Sequence, residues 1–356
     1  MKKKAHKLVK NAKQRLPSRK SDKNAPNLTG APRITNETVA EHRDEVLSSA
    51  RKYIYPLQHS RHRIVTISIV LFVLAVIAFF SYTLLALYRF HTTSTFMYRV
   101  TQVIPFPVAK AGPSWVAYEN YLFEVRRYKH YYQTQQEVDF SSKAGKSQLA
   151  DFQNRALDNV IDDAYIKQLA KENGVTVGRG EVNEQIALLR SQNRLGGSDQ
   201  VFEDVLKEYW GWSVDDFRRV LQQQLLAQKV VSKLDTEAHD RAKGYASQLQ
   251  GGADFAELAK QHSDDEATKA NGGEYGFTIE RSNRDLQPKA IDELFKLQPG
   301  QTSGVIETPT GLEIVKVIEN TNGKIRAAHI VVNFKPVSAY IDSVKDEKKP
   351  RRFLGL

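Results

Sequence analysis

The chain has 356 residues, 52 Lys or Arg against 41 Asp or Glu, a formal net charge of +11, and no cysteine. Without thiols, neither a disulfide framework nor zinc–thiolate or Cys-nucleophile chemistry is available, so the structure must be held by packing. Sixteen of the basic and five of the acidic residues fall within positions 1–63, leaving 36 of each beyond; the excess charge belongs to the arm, and no nucleic-acid partner is expected.

Positions 1–63 are polar, basic and interrupted by Pro17, Pro26 and Pro32. Such a segment buries too little apolar surface to offset the entropy of ordering, which predicts a disordered cytoplasmic arm. A contact of Lys2, Lys3 and Lys4 with anionic lipid or nucleic acid is the alternative to a purely topogenic role. Residues 64–88 then run for twenty-five positions without a charge, IVTISIVLFVLAVIAFFSYTLLALY, and predict a transmembrane helix whose partner is membrane lipid. A signal peptide would start nearer the N-terminus and end on small residues. Arg61 and Arg63 at the membrane edge place the arm in the cytoplasm and everything after Arg89 outside the cell membrane.

Residues 89–234 read as a helical domain. A short strand pair is expected around Gly112 and Pro113, then a helix from Tyr118 with Tyr121, Leu122, Val125 and Tyr128 at helical spacing. Leu149–Lys171 carries Phe152, Leu157, Ile161, Tyr165 and Leu169 on one face and stops at Gly174. Further helices are expected over Glu181–Leu195, closed by Gly196 and Gly197, and over Asp199–Tyr209. Ser213 with Asp216 three later resembles a capping box and opens a long helix marked by Phe217, Leu221, Leu225 and Val231.

From residue 235 to 335 the pattern changes. Helices Glu237–Gln250, Asp254–His262 and Pro288–Phe295 surround a turn-rich stretch. Two strands, Val305–Glu307 and Leu312–Ile318, precede an Asn322-Gly323 turn and a last strand, Ile325–Phe334, which together make an α+β domain. Positions 336–356 read as a loose tail. Gly272, Gly273 and Gly276 follow no strand and precede no Lys-Ser or Lys-Thr, so they are turn glycines and not a phosphate loop. Asp264, Asp265 and Glu266 lack calcium-loop spacing, and no metal or cofactor is expected.

The succession Asp254-Phe255-Ala256-Glu257-Leu258-Ala259, Ser263-Asp264-Asp265, Gly272-Gly273-Glu274-Tyr275-Gly276-Phe277, Pro299-Gly300 and Thr308-Pro309-Thr310-Gly311-Leu312-Glu313 resembles the parvulin-type peptidyl-prolyl isomerase family. The helices before it, from Ala156 to Lys229, resemble the N-terminal chaperone domain of the SurA and PrsA foldases. The resemblance implies a membrane-tethered foldase outside the cell membrane, acting on unfolded or exported polypeptides that contain X-Pro bonds. It also implies a first strand before the helix carrying Phe255, and none stands there. Arg326-Ala327-Ala328-His329-Ile330-Val331-Val332 supplies its likeness at the C-terminal end, which makes the domain either circularly permuted or followed by the remnant of a second repeat. By the same resemblance His329, Asp265, Thr308 and Glu313 are the catalytic positions, Thr308 holding the histidine tautomer. Leu286, Phe277, Ala290 and Phe295 are the substrate-binding positions. Ala290 stands in place of the family's pocket phenylalanine and Glu313 in place of its second histidine.

Rotation about a peptide bond meets a barrier of roughly 18–20 kcal/mol, and isomerising X-Pro needs no nucleophile or metal. It needs an apolar slot for the ring and surroundings that favour the twisted bond. Two functions remain open: an extracytoplasmic isomerase, or a non-enzymatic chaperone that has kept the fold. An open apolar site beside His329, Asp265 and Leu286 favours the first, and side chains filling that space favour the second.

Overall fold

A computed structural model describes residues 35–54, 57–191 and 198–355. The lipid contact of Lys2, Lys3 and Lys4, the disorder expected of positions 1–34 and the Gly196-Gly197 helix stop lie outside the described residues. The chain divides between Phe79 and Phe80 into two compact units.

In the first unit, residues 36–54 correct the expectation of disorder: they form helix α1 (Asn36–Ile54), with Glu37 in the first turn where a carboxylate complements the helix dipole. Helix α2 (Leu57–Leu84) begins the apolar span, which runs over Arg63–Arg89 and is long and apolar enough to cross a membrane. Its large side chains, such as Leu71 and Phe72, are exposed. A helix apolar on every side is suited to hydrocarbon.

The second unit starts inside α2. A π turn over Leu85–Arg89 follows, and Ala86 and Leu87 are buried in a core with Met97, Val108, Tyr118 and Tyr121. The Tyr118 hydroxyl donates to the Leu87 carbonyl at 2.6 Å and that of Tyr88 to the Pro107 carbonyl at 2.6 Å, so the end of the span is bonded into the domain. Helix α3 (Thr95–Val103) is capped by Ser94. Strands β1 (Pro107–Ala111) and β2 (Ser114–Ala117) form the expected hairpin, with Gly112 at φ 54° supplying the left-handed turn position.

Helices α4 (Tyr118–Gln135) and α5 (Lys143–Glu172) pack through Tyr121, Leu122 and Val125 against Leu157, Ile161 and Tyr165. Then come α6 (Arg179–Ser191), α7 (Asp199–Trp210) and α8 (Val214–Leu234). The Ser213–Asp216 capping box is present with both of its hydrogen bonds. Arg219 of α8 reaches α4, donating to both Glu119 oxygens at 2.7 and 2.9 Å and to Asn120 at 2.6 Å.

The sheet region comprises α9 (Thr236–Gln250), α10 (Phe255–His262), α11 (Glu266–Lys269), α12 (Pro288–Leu294), β3 (Ile306–Thr308), β4 (Gly311–Thr321) and β5 (Lys324–Asn333). The strands pair antiparallel in the order β3-β4-β5, and Asn322 and Gly323, at φ 52° and 81°, make the tight turn between the last two. Leu312 pairs with Val332 and Val315 with His329, the pairing that a C-terminally supplied first strand requires. Alternation then sorts the side chains. Val315, Val317 and Ala327 pack with Ala290 and Leu294 of α12, whereas Ile314, Ala328 and Ile330 pack on Phe255 and Leu258 of α10.

Residues 336–356 are not a loose tail. They form α13 (Val337–Glu347) and β6 (Arg351–Arg352), and β6 pairs with β1 to give a second sheet of order β2-β1-β6. Val337, Tyr340, Ile341 and Val344, at spacings of three and four, turn one face of α13 into the helical core, and Leu354 is buried there too. The sheet region is thus inserted between two segments of the helical region. Where the chain enters and leaves it, the Lys335 amide donates to the Asp235 carboxylate at 2.7 Å.

Candidate functional site

His329 stands in the middle of β5, opposite Val315, and Glu313 lies two residues along β4 on the same face. This diagonal spacing lets long side chains meet. Glu313 Oε1 is 2.7 Å from His329 Nδ1, and Asp265 Oδ2 is 2.8 Å from His329 Nε2. Asp265 is set by the start of α11: it caps that helix, accepts from the Ala267 amide, and accepts from the Thr268 hydroxyl at 2.5 Å. Thr268 Oγ1 also lies 2.9 Å from His329 Nε2. The Tyr275 hydroxyl donates to Glu313 at 2.7 Å, and its ring centroid lies 4.2 Å from that of His329.

The loop that carries Tyr275 runs along the free edge of β5. The His329 amide donates to the Gly273 carbonyl at 2.9 Å and the Tyr275 amide to Ala327 at 3.2 Å. Gly273 has φ 83°, and a Cβ there would stand 2.2 Å from the His329 carbonyl oxygen, so only glycine permits this approach. Further along the same edge the buried Ser263 hydroxyl accepts from the Val331 amide at 3.2 Å. These backbone ties fix the imidazole between two segments.

With carboxylates on both ring nitrogens, the doubly protonated imidazolium is the form that donates to both. Burial works against that charge, but the hydrogen bonds and charges of Glu313 and Asp265 outweigh it and hold the His329 pKa above its ordinary value. Burial also opposes ionisation of Asp265, yet its bonds from Thr268 and His329 hold its pKa below the usual carboxylate range. The Tyr275 phenol is pushed up, first by burial and then by the Glu313 charge. The accessible edge of the cluster is Asp265, whose side chain is 28% exposed against 10% for His329.

Of the positions expected from sequence, His329, Asp265 and Glu313 are brought together. Thr308 is not: its hydroxyl donates to the Gly311 carbonyl at 3.0 Å across the β3–β4 turn, which holds it at the end of β3. Thr268 supplies the threonine oxygen that stands beside the imidazole. Leu286 and Phe295 are half-buried on the core of α12, with Arg281 over the Phe295 ring at 4.6 Å. Phe277 is 45% exposed with its ring 5.9 Å from that of Tyr275. Ala290 is fully buried in the core and offers no surface to a ligand. Thr268 and Tyr275 were missed by sequence reasoning; an Asp-x-x-Thr cap in the acidic turn was the available signal for the first. Two cavities lie apart from His329. One of about 660 Å³ is lined by Lys229, Lys233, His239, Lys243 and Glu307, and one of about 230 Å³ lies between Leu188 and Leu225 on one side and Pro288, Thr308 and Pro309 on the other.

Residues 225–319 match the PPIC-type PPIase domain family, and residues 57–231 match the SurA-like N-terminal domain family. The first match ends within β4, before β5 and His329. Among curated proteins, a parvulin-like PPIase of Rickettsia bellii is 29% identical over 135 residues, 38% of this chain and 44% of that protein. The foldase protein PrsA of Lacticaseibacillus paracasei is 34% identical over 122 residues, 34% of this chain and 36% of that protein. The chain spans about half the length of the curated relatives it matches. A crystal structure of PrsA from Bacillus subtilis aligns with 58% of this chain and 82% of its own at 16% identity, with a TM-score of 0.21.

Proposed function

Because the chain carries a parvulin-type PPIase domain behind a SurA/PrsA-like N-terminal domain, we propose that it is a membrane-anchored extracytoplasmic foldase that isomerises X-Pro bonds in exported polypeptides. The Arg-bearing edge of the span at Arg63 supports a cytoplasmic N-terminus. The observation that carries the catalytic reading is the bonding of His329 between Glu313 and Asp265, with Asp265 the accessible edge. In a planar amide, resonance places negative charge on the carbonyl oxygen; in the twisted amide that charge returns to nitrogen. The Asp265 carboxylate beside the oxygen therefore disfavours the planar state relative to the twisted one, and apolar contacts from Leu286, Phe277 and Phe295 would hold the proline ring. The strand reading of permutation is supported by the β4–β5 pairing and by the family match ending before β5.

A second reading, a chaperone without catalysis, is favoured by the Tyr275 ring lying over the imidazole and by the buried Ala290 in place of an aromatic wall. NMR exchange of an Ala-Pro peptide with the full chain in nanodiscs, beside Asp265→Asn, separates the two. Faster cis/trans exchange with wild type that falls at least tenfold, about 1.4 kcal/mol of barrier, in the folded variant supports the isomerase. Exchange at the uncatalysed rate with folded wild type leaves the chaperone.

A further inference from the structure

The end of the span has no linker to the domain that follows. Ala86 and Leu87 are built into that domain's core, and the Tyr118 hydroxyl holds the Leu87 carbonyl. The chain then turns back on itself: His91 takes the left-handed conformation at φ 46°, and the Thr92 amide donates to the Ala86 carbonyl at 2.9 Å. Helix α3 starts only three residues later, so its first turn stands at the exit of the span. Phe90, between the two, is 71% exposed.

Helix α3 buries Met97 and Thr101 and leaves Phe96 57% and Val103 83% exposed. Phe96, Arg99 and Val103, at spacings of three and four, share one face, flanked by the exposed Thr95 and Gln102. An outward face that joins an aromatic, an aliphatic and a cation, on a helix that begins where a membrane span ends, has the composition of an interfacial helix. Arg89, at the end of the span, adds a second exposed cation. Water is a poor environment for Phe90, Phe96 and Val103, and the headgroup–acyl boundary satisfies both their apolar bodies and the neighbouring guanidinium groups.

We propose that α3 lies on the outer surface of the bilayer, with Phe90, Phe96 and Val103 seated at the headgroup–acyl boundary and Arg89 and Arg99 among anionic headgroups. The second unit then meets the membrane at two places of its own, residues 80–89 and α3. This rests on Arg63–Arg89 crossing the bilayer and is independent of any isomerase activity.

The absence of native cysteine makes single-cysteine spin labels clean reporters. Phe96→Cys and Val103→Cys chains, labelled and reconstituted full length into phosphatidylcholine vesicles with and without phosphatidylglycerol, are read by collision with oxygen and with a water-soluble nickel chelate. Val73→Cys within the span and Ser247→Cys on α9 serve as the lipid and water references. At 96 and 103 the oxygen-to-nickel ratio is expected several-fold above that at 247, and higher still with the anionic lipid. A ratio equal to that at 247 would place α3 in water, and protection from both reagents would place it against another protein surface; either overturns the proposal. A water-like ratio at 73 would instead overturn the anchor on which it rests.

Discussion

Arg219 in the helical region and His329 in the sheet region each bridge two elements through carboxylates, but with cations of different kinds. Arg219 binds both oxygens of Glu119 in one plane, and its guanidinium keeps its charge at every accessible pH. His329 shares its two nitrogens between Glu313 and Asp265, and its charge is conditional. The first pair fixes α8 on α4 permanently. The second makes the β4–β5 face sensitive to proton activity and leaves one carboxylate edge to solvent, a combination suited to a site and wasteful in a strut.

The largest effect expected from breaking this contrast is that of His329→Ala, which leaves Glu313 and Asp265 facing each other without the cation between them. Loss of one partner of a buried ionic cluster costs about 3–5 kcal/mol, read as a drop in the urea midpoint of the full chain in micelles. Stability within error of wild type would show that the carboxylates do not depend on the imidazolium. Arg219→Met should cost less, about 2 kcal/mol, because its pair with Glu119 is partly exposed and the Met stem retains packing over Phe123. Tyr275→Phe removes one donor from Glu313 and is expected to cost about 1.5 kcal/mol without moving the ring; a cost as large as that of His329→Ala would make the tyrosine the centre of the cluster.

The smallest effect is the most diagnostic. A histidine with a raised folded pKa contributes stability that is complete below its unfolded value, about 6.5, and lost as pH rises through the folded value. The lowered pKa of Asp265 acts in the other direction: its contribution is present above about 3.9 and lost as pH falls through the folded value. Melting temperature against pH should therefore decline on the alkaline side in wild type and Arg219→Met alike, and that limb should flatten in His329→Gln. An unchanged alkaline limb in His329→Gln would assign it to another group.

What the sequence made legible were the features written locally. The Ser213–Asp216 box, the Asn322-Gly323 turn and the strand pair around Gly112 follow from short spacings, and the structure has each of them. Features that depend on distant partners were not legible. The apolar face of α13 is only four residues, and it counts as amphipathic only once the core of α5 and α8 is there to receive it. The two-residue β6 acquires its identity from β1, some 240 positions earlier, as its partner. Thr308 and Thr268 are equally plausible hydroxyls in the sequence; the fold of the β3–β4 turn against the α11 cap decides between them.

The insertion of the sheet region between two segments of the helical one has a mechanical consequence. Two chain crossings, joined side by side by the bond from Lys335 to Asp235, carry the sheet region. A single tether would let the region tumble and twist. This double mount, with the Ser232 hydroxyl of α8 donating to Glu307 of β3 at 2.6 Å, resists such rotation beside the cleft between Leu225 on α8 and Pro288 on α12.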